Sequence, residues 1–432
     1  MIEKFFKNNF IYRFVVGVCK KENRKKIKRC FNEYRRIYKL KYRYRRLYRH
    51  LISYKKNKIR VLFPLSNVSK WKVQSLYDLM AKSERYDPYV AITLMDIEYN
   101  IPNEQRASYI ESVKTFLKQH RCRFVVAYDC EKHSFIPFSY FSPDIVWYTQ
   151  PWVIDKSQRQ MEVSKYALTC YIPYYVENYG ILEMGCDIFF MRSLWRNFAM
   201  NEDWAKVCNE YQGKRRSTES VGLGHPMLDQ FLNVEVRDED REYIIYAPHW
   251  SCNTGECFST FLENGWNMLR FAKKHSELKW VFKPHPTLRH TLINTVGWSE
   301  KQVEEYYSGW ENLGTVCYTG DYVDLFNKSK VMITDCASFL VEFSCTKMPI
   351  IHLVSSNSKY PVHPISQKLF SSYYQAHTWN EFLCYFNKVV IEGDDYRREE
   401  RLAEVKRMGL LETNAAKNIV GYLDSIFTES YL

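Results

Sequence analysis

One local pattern recurs along the chain: a short apolar run ends in a polar turn and leads into a helix. It is clearest at 280–286 (Trp-Val-Phe-Lys-Pro-His-Pro) and at 331–338 (Val-Met-Ile-Thr-Asp-Cys-Ala-Ser). Short buried strands that alternate with helices predict a parallel α/β sheet. Ligands bind beyond the carboxyl ends of the strands in such sheets, so the polar residues that end each run form the candidate site.

The pattern occurs in two stretches, and 432 residues are enough for two hydrophobic cores. Predicted strands of the first stretch lie at 59–63, 89–93, 124–127 and 145–148, with helices at 71–80 and 103–119. Predicted strands of the second lie at 243–247, 280–283, 316–318, 331–334 and 349–353. We therefore predict an arm (1–58), two domains with parallel α/β sheets (59–215 and 216–375) and C-terminal helices (376–432), the helices at 379–389 and 396–427.

Charge is distributed unevenly along the chain. Residues 1–60 carry 22 Lys and Arg and 3 acidic residues, which leaves 40 basic and 46 acidic residues for the rest. A basic arm is thus joined to a mildly acidic body. No run approaches the roughly 18 apolar residues that a membrane-spanning helix needs. The most apolar stretch of the arm, 10–19, is too short and contains Arg13.

The thirteen cysteines form no Cys-x-x-Cys pair. Scattered cysteines, odd in number, are typical of free thiols in a reducing cytoplasm, and they do not suggest a disulfide framework or a zinc site. We therefore expect a cytoplasmic protein without a metal.

The arm predicts a basic amphipathic helix. Positions 37, 40, 44, 47, 48 and 51 are apolar at helical spacing, and arginines and lysines occupy the other faces. Such a helix, rich in aromatic residues, suits an anionic membrane surface. Two alternatives stay open: the apolar stripe packs on the body, or the arm binds nucleic acid. We favour the membrane over nucleic acid, because no nucleic-acid-binding motif accompanies the arm.

The turn at 149–156 follows the last predicted strand of the first domain. In that position Asp155 would act as a general base. Trp152 would form a wall against an acceptor molecule. The alternative is an ordinary loop with a solvated Asp155 and a core Trp152.

In the second domain, prolines on both sides of His285 fix the backbone around an imidazole. Such a ring suits the donation of a hydrogen bond to a phosphate oxygen. Lys283 and Arg289 are close in sequence, and His249 follows another predicted strand. A purely structural histidine is the alternative.

The turn after the strand at 331–334 opens a helix near Ser338. A hydroxyl beside the free N–H groups of a helix start suits an anion. The alternative for Ser338 is a plain helix N-cap. One turn further, Glu342 is placed to accept a hydrogen bond from a ribose hydroxyl. Gly222 and Gly224 permit close backbone approach before the second domain.

Five segments occur in one order: 224–229 (Gly-His-Pro-Met-Leu-Asp), 246–250 (Tyr-Ala-Pro-His-Trp), 283–286 (Lys-Pro-His-Pro), 334–338 (Thr-Asp-Cys-Ala-Ser) and 347–350 (Lys-Met-Pro-Ile). In these segments the chain resembles the CDP-glycerol glycerophosphotransferase family, the teichoic-acid polymerases and primases. The family's motifs there are Gly-x-Pro-Arg-x-Asp, Tyr-Ala-Pro-x-Trp, Lys-x-His-Pro, Thr-Asp-x-Ser-Ser and Lys-Pro-Ile. The similarity extends over about 58–383 and is strongest over 221–353.

The resemblance implies a GT-B fold, in which an acceptor domain (59–215) and a donor domain (216–375) face a central cleft. It implies transfer of glycerol phosphate from CDP-glycerol to an acceptor hydroxyl, with release of CMP and without a further cofactor. Family members are cytoplasmic proteins on the inner membrane face, where a lipid-linked glycan acceptor is found. The basic arm suits that location.

The resemblance also implies roles for residues of this chain. The family's second-domain His and Ser, which hold the donor phosphates, correspond to His285 and Ser338. We expect His285 to be a catalytic residue that donates a hydrogen bond. We expect the binding site for the donor substrate to comprise Lys283, Arg289, Ser338, Asp335, Thr334, Glu342, His249 and Gly224. We expect the acceptor side to comprise Gln150 and Trp152.

Three positions depart from the family pattern. The family's catalytic base lies in Gln-x-Trp-His-Gly, but Val153 stands at the His position and Ile154 at the Gly position. Met227 replaces the Arg of the Gly-x-Pro-Arg turn, and Ala337 replaces the first Ser of the pair. We therefore expect a changed acceptor, a changed transferred group, or both, with Asp155 as the substitute base.

The expected reaction is in-line attack of an acceptor hydroxyl on the phosphorus that carries the glycerol. One rival is a GT-B transferase that uses CDP-ribitol or a nucleotide sugar to make capsule or wall polysaccharide. A rival of another class is a membrane-associated scaffold that keeps the fold but has lost the base.

Overall fold

The computed structural model describes residues 21–53, 58–94, 101–151, 155–176, 188–232, 234–254, 257–317, 322–358, 361–411 and 414–428. In this part of the chain the strands form two large parallel sheets, and helices pack on both. The predicted α/β fold class is confirmed.

The first sheet has the strand order β3-β2-β1-β6-β7-β8-β9, all parallel. Its unit comprises α1 (Lys21–Ser53), β1 (Ile59–Leu65), α2 (Gln74–Lys82), β2 (Tyr86–Ile92), α3 (Asn103–Gln119), β3 (Phe124–Val126), the hairpin β4 (Tyr128–Asp129) and β5 (Ser134–Phe135), β6 (Ile145–Tyr148), α4 (Gln160–Val163), β7 (Leu168–Tyr171), α5 (Phe189–Arg192), β8 (Arg196–Ala199), α6 (Glu202–Gln212) and β9 (Glu219–Gly222). Because β9 pairs with β8, this sheet continues past residue 216, where we placed the start of the second domain.

The second sheet has the strand order β12-β11-β10-β13-β14-β15, again all parallel. Its unit comprises β10 (Tyr243–Ala247), α7 (Phe261–Lys274), β11 (Lys279–Phe282), α8 (Leu288–Thr291), α9 (Glu300–Glu311), β12 (Thr315–Val316), α10 (Val323–Asn327), β13 (Ser329–Thr334), α11 (Ala337–Glu342), β14 (Ile350–Leu353), α12 (Pro364–Ser371), β15 (Tyr374–Ala376), α13 (Trp379–Phe386) and α14 (Arg398–Arg407). A last helix, α15 (Ala415–Thr428), follows.

The tail helices differ from the prediction in one respect. We predicted one helix over 396–427, whereas α14 and α15 are separate. Gly409 lies between them with φ +67°, a left-handed conformation that ends α14. The separation lets α15 return to the first sheet, where Tyr86 donates a hydrogen bond to Asp424 at 2.8 Å and Arg196 donates one to Tyr422 at 2.7 Å.

The apolar stripe of the arm helix packs on the first domain, which corrects our preferred interpretation of the stripe. Ile37, Leu40 and Tyr44 are buried in the core of the first sheet, and Leu47 and Leu51 pack against it. The stripe is therefore covered by protein, as in the alternative that we left open. None of the described helices is long and apolar enough to cross a membrane.

Hydrogen bonds also fix the arm to the body. The Tyr44 hydroxyl lies 2.7 Å from the Thr169 hydroxyl and donates to the Ser193 carbonyl at 2.8 Å. Arg43 donates to the Ser164 hydroxyl at 3.0 Å. A buried hydroxyl with two partners on different elements fixes the position of the helix along the sheet as well as its contact with it.

We expect Tyr44→Phe to lower the free energy of unfolding by about 1–3 kcal/mol, because the buried Thr169 and Ser193 oxygens then lose that partner. Urea unfolding of the full chain measures the change. Tyr42→Phe, on the exposed side of the same helix, is the matched control. Equal effects of the two substitutions would contradict this account of the docking.

Candidate functional site

Two histidines lie together at the carboxyl ends of neighbouring strands of the second sheet. His249 follows β10 and His285 follows β11, and their ring centroids are 5.4 Å apart. The backbone N–H of His285 donates to the Pro248 carbonyl at 3.1 Å, so the two turns are joined directly. This pair is at the edge of the sheet where ligands of parallel α/β proteins bind.

Both imidazoles are held in the same tautomer. The backbone N–H of Ser251 donates to Nδ1 of His249 at 3.2 Å, and that of Thr287 donates to Nδ1 of His285 at 3.2 Å. The hydroxyls of Ser251 and Thr287 lie 2.7 and 2.8 Å from the same nitrogens. Because a backbone N–H is only a donor, each Nδ1 is an acceptor and each neutral ring carries its proton on Nε2. The pair therefore presents two Nε2–H donors.

Burial keeps both rings neutral. Desolvation, with a further contribution from Lys283, lowers the pKa of His285 to about 3. Desolvation and the neighbouring His285 hold the pKa of His249 well below its usual range. At neutral pH the rings donate hydrogen bonds without carrying a charge of their own.

The buried carboxylate of Asp335 positions His249. It accepts hydrogen bonds from the backbone N–H of His249 at 2.5 Å and from the N–H and hydroxyl of Thr260 at 2.6 and 2.9 Å. Burial raises the pKa of Asp335 to about 6. The Thr334 hydroxyl is also used within the protein, because it donates to the Ala247 carbonyl at 2.6 Å. Asp335 and Thr334 thus position neighbouring turns of the protein. Their expected contact with the donor substrate stays a prediction.

Ser338 lies in the first turn of α11 and is partly exposed. The N-cap position belongs to Cys336, which makes no side-chain cap. The plain N-cap alternative for Ser338 is therefore not observed, and its contact with a donor phosphate stays a prediction.

A cluster of two lysines, a tyrosine and a glutamate lies beside the histidines. The Tyr322 hydroxyl donates to the buried carboxylate of Glu342. The Lys283 ammonium lies 4.8 Å from the centroid of the Tyr322 ring, and that of Lys72 lies 4.4 Å from it and donates to the hydroxyl at 3.0 Å. Burial raises the pKa of Glu342, and Lys72 and Lys283 oppose that rise. Glu342 therefore serves this cluster, whereas we expected it to contact a ribose.

Lys72 comes from the first domain, and the sequence analysis did not select it. It lies in the loop between β1 and α2, beside Lys70, whose ammonium donates to the Gln150 side chain at 2.6 Å. Lys70 also lies 5.2 Å from the centroid of the Tyr174 ring. The signal was available, since both lysines follow the carboxyl end of the predicted strand at 59–63. The two domains thus bring their strand ends to one cationic crevice.

The turn around Gly224 connects the domains. Gly224 has φ +95°, which favours glycine, and it directs His225 into the first domain. Nε2 of His225 donates to the Pro173 carbonyl at 2.7 Å, while Nδ1 accepts from the Met227 N–H at 3.2 Å. Burial lowers the pKa of His225 to about 4. Gly224 thus shapes this connection, whereas we expected it at the donor, and Met227 is buried in the core.

Asp229, the last residue of the same motif, joins three segments. Its carboxylate accepts from the backbone N–H groups of Ala415 and Ala416 at 2.7 and 2.9 Å, at the start of α15. It also accepts from the Ser75 hydroxyl of α2 at 2.9 Å. The motif at 224–229 therefore holds α2 and the start of α15 at the connection between the domains.

The predicted acceptor side is only partly described. Gln150 lies at the end of β6 and accepts the hydrogen bond of Lys70, and Trp152 lies outside the described residues. Asp155 is the N-cap of a short 3-10 turn, where it accepts from the Ser157 N–H at 2.8 Å. Its role as general base stays a prediction.

Arg289 contacts a neighbouring helix of the second domain. Its guanidinium forms an ion pair with Glu304 of α9 at 3.0 Å and lies 5.6 Å from the centroid of the Tyr307 ring. Half of its side chain is exposed. Its contact with the donor stays a prediction. Across the described ranges, no three or more His, Cys, Asp or Glu side chains are grouped to hold a metal ion.

Residues 214–422 match the family model of CDP-Glycerol:Poly(glycerophosphate) glycerophosphotransferase. This part of the chain is similar to that family. The match includes the histidine pair, Lys283, Tyr322 and Glu342, and it confirms the resemblance found in the sequence motifs. No curated protein matches the chain in sequence.

Solved structures of the same fold include enzymes of two kinds. The wall teichoic acid polymerase TagF superposes with a TM-score of 0.52 at 12% identity over 86% of this chain and 89% of TagF. The UDP-GlcNAc 2-epimerase of Neisseria meningitidis gives a TM-score of 0.54 at 14% identity over 85% of this chain and 100% of the epimerase. A putative UDP-N-acetylglucosamine 2-epimerase of Listeria monocytogenes gives 0.52 at 11% identity over 86% and 98%. These likenesses establish a GT-B fold.

We expect the rings of His249 and His285 to stay neutral from pH 8 down to about pH 5, because burial lowers both pKa values. Titration of the histidine C2–H resonances by NMR, assigned with His249→Gln and His285→Gln, measures this. Imidazoles of the unfolded chain take up protons near pH 6.5, whereas these rings do not. Protonation therefore favours the unfolded chain, and the free energy of unfolding decreases as the pH falls below about 6.5. Titration of either ring near pH 6.5 would contradict the buried pair.

Proposed function

We propose that the protein transfers glycerol phosphate from CDP-glycerol to a hydroxyl group of a membrane-linked cell-surface glycan or teichoic-acid-type acceptor of bacteria and releases CMP. The observation that carries the proposal is the pair of Nε2–H donors on His249 and His285 beside the ammonium groups of Lys283 and Lys72. Neutral donors and cations at the carboxyl ends of parallel strands suit a diphosphate. The family match of this half of the chain supports the choice of donor.

The chemistry follows from charge. The acceptor oxygen forms a bond to the β-phosphorus, the bond from that phosphorus to the bridging oxygen breaks, and CMP leaves with the electron pair. Negative charge therefore grows on the phosphate of CMP. Hydrogen bonds from His285 and His249 stabilise that charge, and Lys283 and Lys72 neutralise it, which is how proteins catalyse most phosphoryl transfers.

The proton of the acceptor hydroxyl needs a base, and the family's histidine is replaced by Val153. We propose that Asp155 takes this proton, because it lies in the same turn of the first domain. Its carboxylate accepts hydrogen bonds from both the backbone N–H and the hydroxyl of Ser157, so it is oriented in the turn.

We expect Asp155→Asn to lower turnover by about 10²–10⁴-fold, the usual range for a positioned base, without loss of donor affinity. CMP release from CDP-glycerol with isolated membranes measures turnover, and calorimetry measures affinity. Ser157→Ala, which removes the hydroxyl contact of Asp155 but keeps the carboxylate, is the control. Unchanged turnover of Asp155→Asn with intact donor binding would exclude this base.

We expect His285→Ala to lower turnover by about 10²–10³-fold and to weaken binding of CDP-glycerol and CMP, because one donor to the phosphates is lost. His290→Ala, an exposed histidine five residues away, is the matched control and should leave both unchanged. The full chain is the right sample, since α1 is part of the core. A loss of turnover under tenfold would count against the role of His285.

The same calorimetry separates the rival functions. CDP-ribitol, CMP and a panel of UDP-sugars are titrated beside CDP-glycerol. A preference for CDP-ribitol or a UDP-sugar would make the protein another GT-B transferase of capsule or wall polysaccharide synthesis. A folded protein that binds none of them would be a non-catalytic, membrane-associated scaffold.

We place the protein in the cytoplasm, on the inner face of the membrane, where a lipid-linked acceptor and a soluble nucleotide donor meet. The apolar stripe of α1 is buried in the protein. The support for this location therefore comes from the outward side of the helix. Basic residues on that side contribute on the order of 1 kcal/mol each near an anionic leaflet.

A further inference from the structure

A basic pocket lies between the arm helix α1 and the turn that joins α6 to β9. Its volume is about 410 Å³, and its walls include Lys41, Asn209, Lys214, Arg216 and Glu219. None of the residues of the histidine cleft lines it. The pocket is therefore a second candidate binding site on the first domain.

The walls of the pocket are held by hydrogen bonds. The Arg216 guanidinium donates to the carbonyls of Thr218 at 2.8 Å and Gly213 at 2.9 Å. The Asn209 side chain donates to the Ser220 carbonyl at 2.8 Å and accepts from the Ser220 N–H at 3.0 Å. These contacts fix the turn between α6 and β9, so the pocket has a defined shape.

The charge of the pocket favours an anion. Lys41, Lys214 and Arg216 supply three cations, and the single carboxylate among its walls, Glu219, forms an ion pair with Arg196 at 3.1 Å. The pKa of Lys41 is lowered, first by burial and then by the nearby Arg216 and Arg45. A phosphate group is the common biological anion that two lysines and an arginine bind.

An exposed row of tyrosines on α1 adjoins the pocket. Tyr34, Tyr38 and Tyr42 are 50%, 46% and 59% exposed. With Lys41 and Arg45 they recur at spacings of three and four residues, so all five share one side of the helix. Tyrosine, with an apolar ring and a polar hydroxyl, is enriched at membrane–water interfaces.

The geometry favours a membrane over a nucleic acid as the source of the phosphate. Proteins bind single-stranded nucleic acid in a positively charged groove lined with aromatic rings. Here the rings stand in a row on the outside of a helix whose opposite side is buried in the core. An outward row of tyrosines beside a cationic pocket suits a flat lipid surface.

We propose that this pocket binds the phosphate of an anionic phospholipid headgroup while Tyr34, Tyr38 and Tyr42 rest on the adjoining lipid surface. Lys41 and Lys214 contact the phosphate, and Arg216 holds the turn that carries Lys214. The inference rests on the proposed function only in that both place the chain at a membrane. It requires neither a particular donor nor a particular base.

The test is co-sedimentation of the full chain with vesicles of phosphatidylcholine alone and of phosphatidylcholine mixed equally with phosphatidylglycerol. We expect binding to the mixed vesicles and a loss of at least about tenfold in affinity for Lys41→Glu with Lys214→Glu. Lys273→Glu with Lys274→Glu, on α7 of the second sheet, makes the same change in net charge and is the matched control. The triple change Tyr34→Ser, Tyr38→Ser and Tyr42→Ser should weaken binding to the same vesicles.

Folding is checked by circular dichroism, and Lys41→Gln with Lys214→Gln is a milder pair that should show a smaller loss in the same direction. Equal losses for the pocket pair and the control pair would overturn the proposal, because net charge alone would then explain binding. Inorganic phosphate or single-stranded DNA that binds through Lys41 and Lys214, without vesicle binding, would also overturn it. CMP binding by calorimetry, intact in the pocket variant, keeps this result independent of the proposed function.

Discussion

The buried carboxylate of Asp335 is the interaction on which the donor side of the structure depends. A carboxylate without solvent is costly unless its lone pairs are used, and Asp335 accepts three hydrogen bonds from His249 and Thr260. These bonds tie the end of β13 to the turn after β10 and to the start of α7. The turn then sets the position of Ser251, and Ser251 sets the tautomer of His249. One desolvated charge thus helps to determine which nitrogen of a neighbouring imidazole carries the proton.

The second constraint is the contact between domains. Lys72 reaches from the first domain to the Tyr322 ring, which Lys283 of the second domain also approaches. Glu342 lies against the same tyrosine and balances part of this charge. Two cations from different domains thus meet at one tyrosine and one buried carboxylate. The site is therefore a product of both sheets, although its most recognisable motifs all lie in one of them.

Much of the fold followed from the period of the apolar residues, because strands buried on both sides read as short apolar runs. The strands that this missed are informative. β7 and β8 contain Thr169, Arg196 and Asn197, whose polar side chains are paired inside the protein and break the apolar pattern. At the site, the sequence motifs predicted His249 and His285. They do not distinguish a residue that contacts a ligand from one that holds such a residue in position. Thr334 and Asp335 stand in the motif because they hold the turn, and only their partners reveal it.

The arm helix shows the same limit of sequence reasoning and also what the structure adds. An apolar stripe at helical spacing indicates that one face of the helix is covered. It does not indicate whether protein or lipid covers that face. Tyr44 decides the question here, since a hydroxyl with two buried partners belongs to a protein interface. The tyrosines at 34, 38 and 42 are exposed on another side of the same helix, away from the buried stripe. A helix with one face fixed to an enzyme and the other lined with tyrosine and arginine holds the enzyme at a defined angle to whatever surface it meets. For the proposed transferase, with its soluble donor and membrane-linked acceptor, such a fixed angle would keep the first-domain strand ends at a constant height above the lipid.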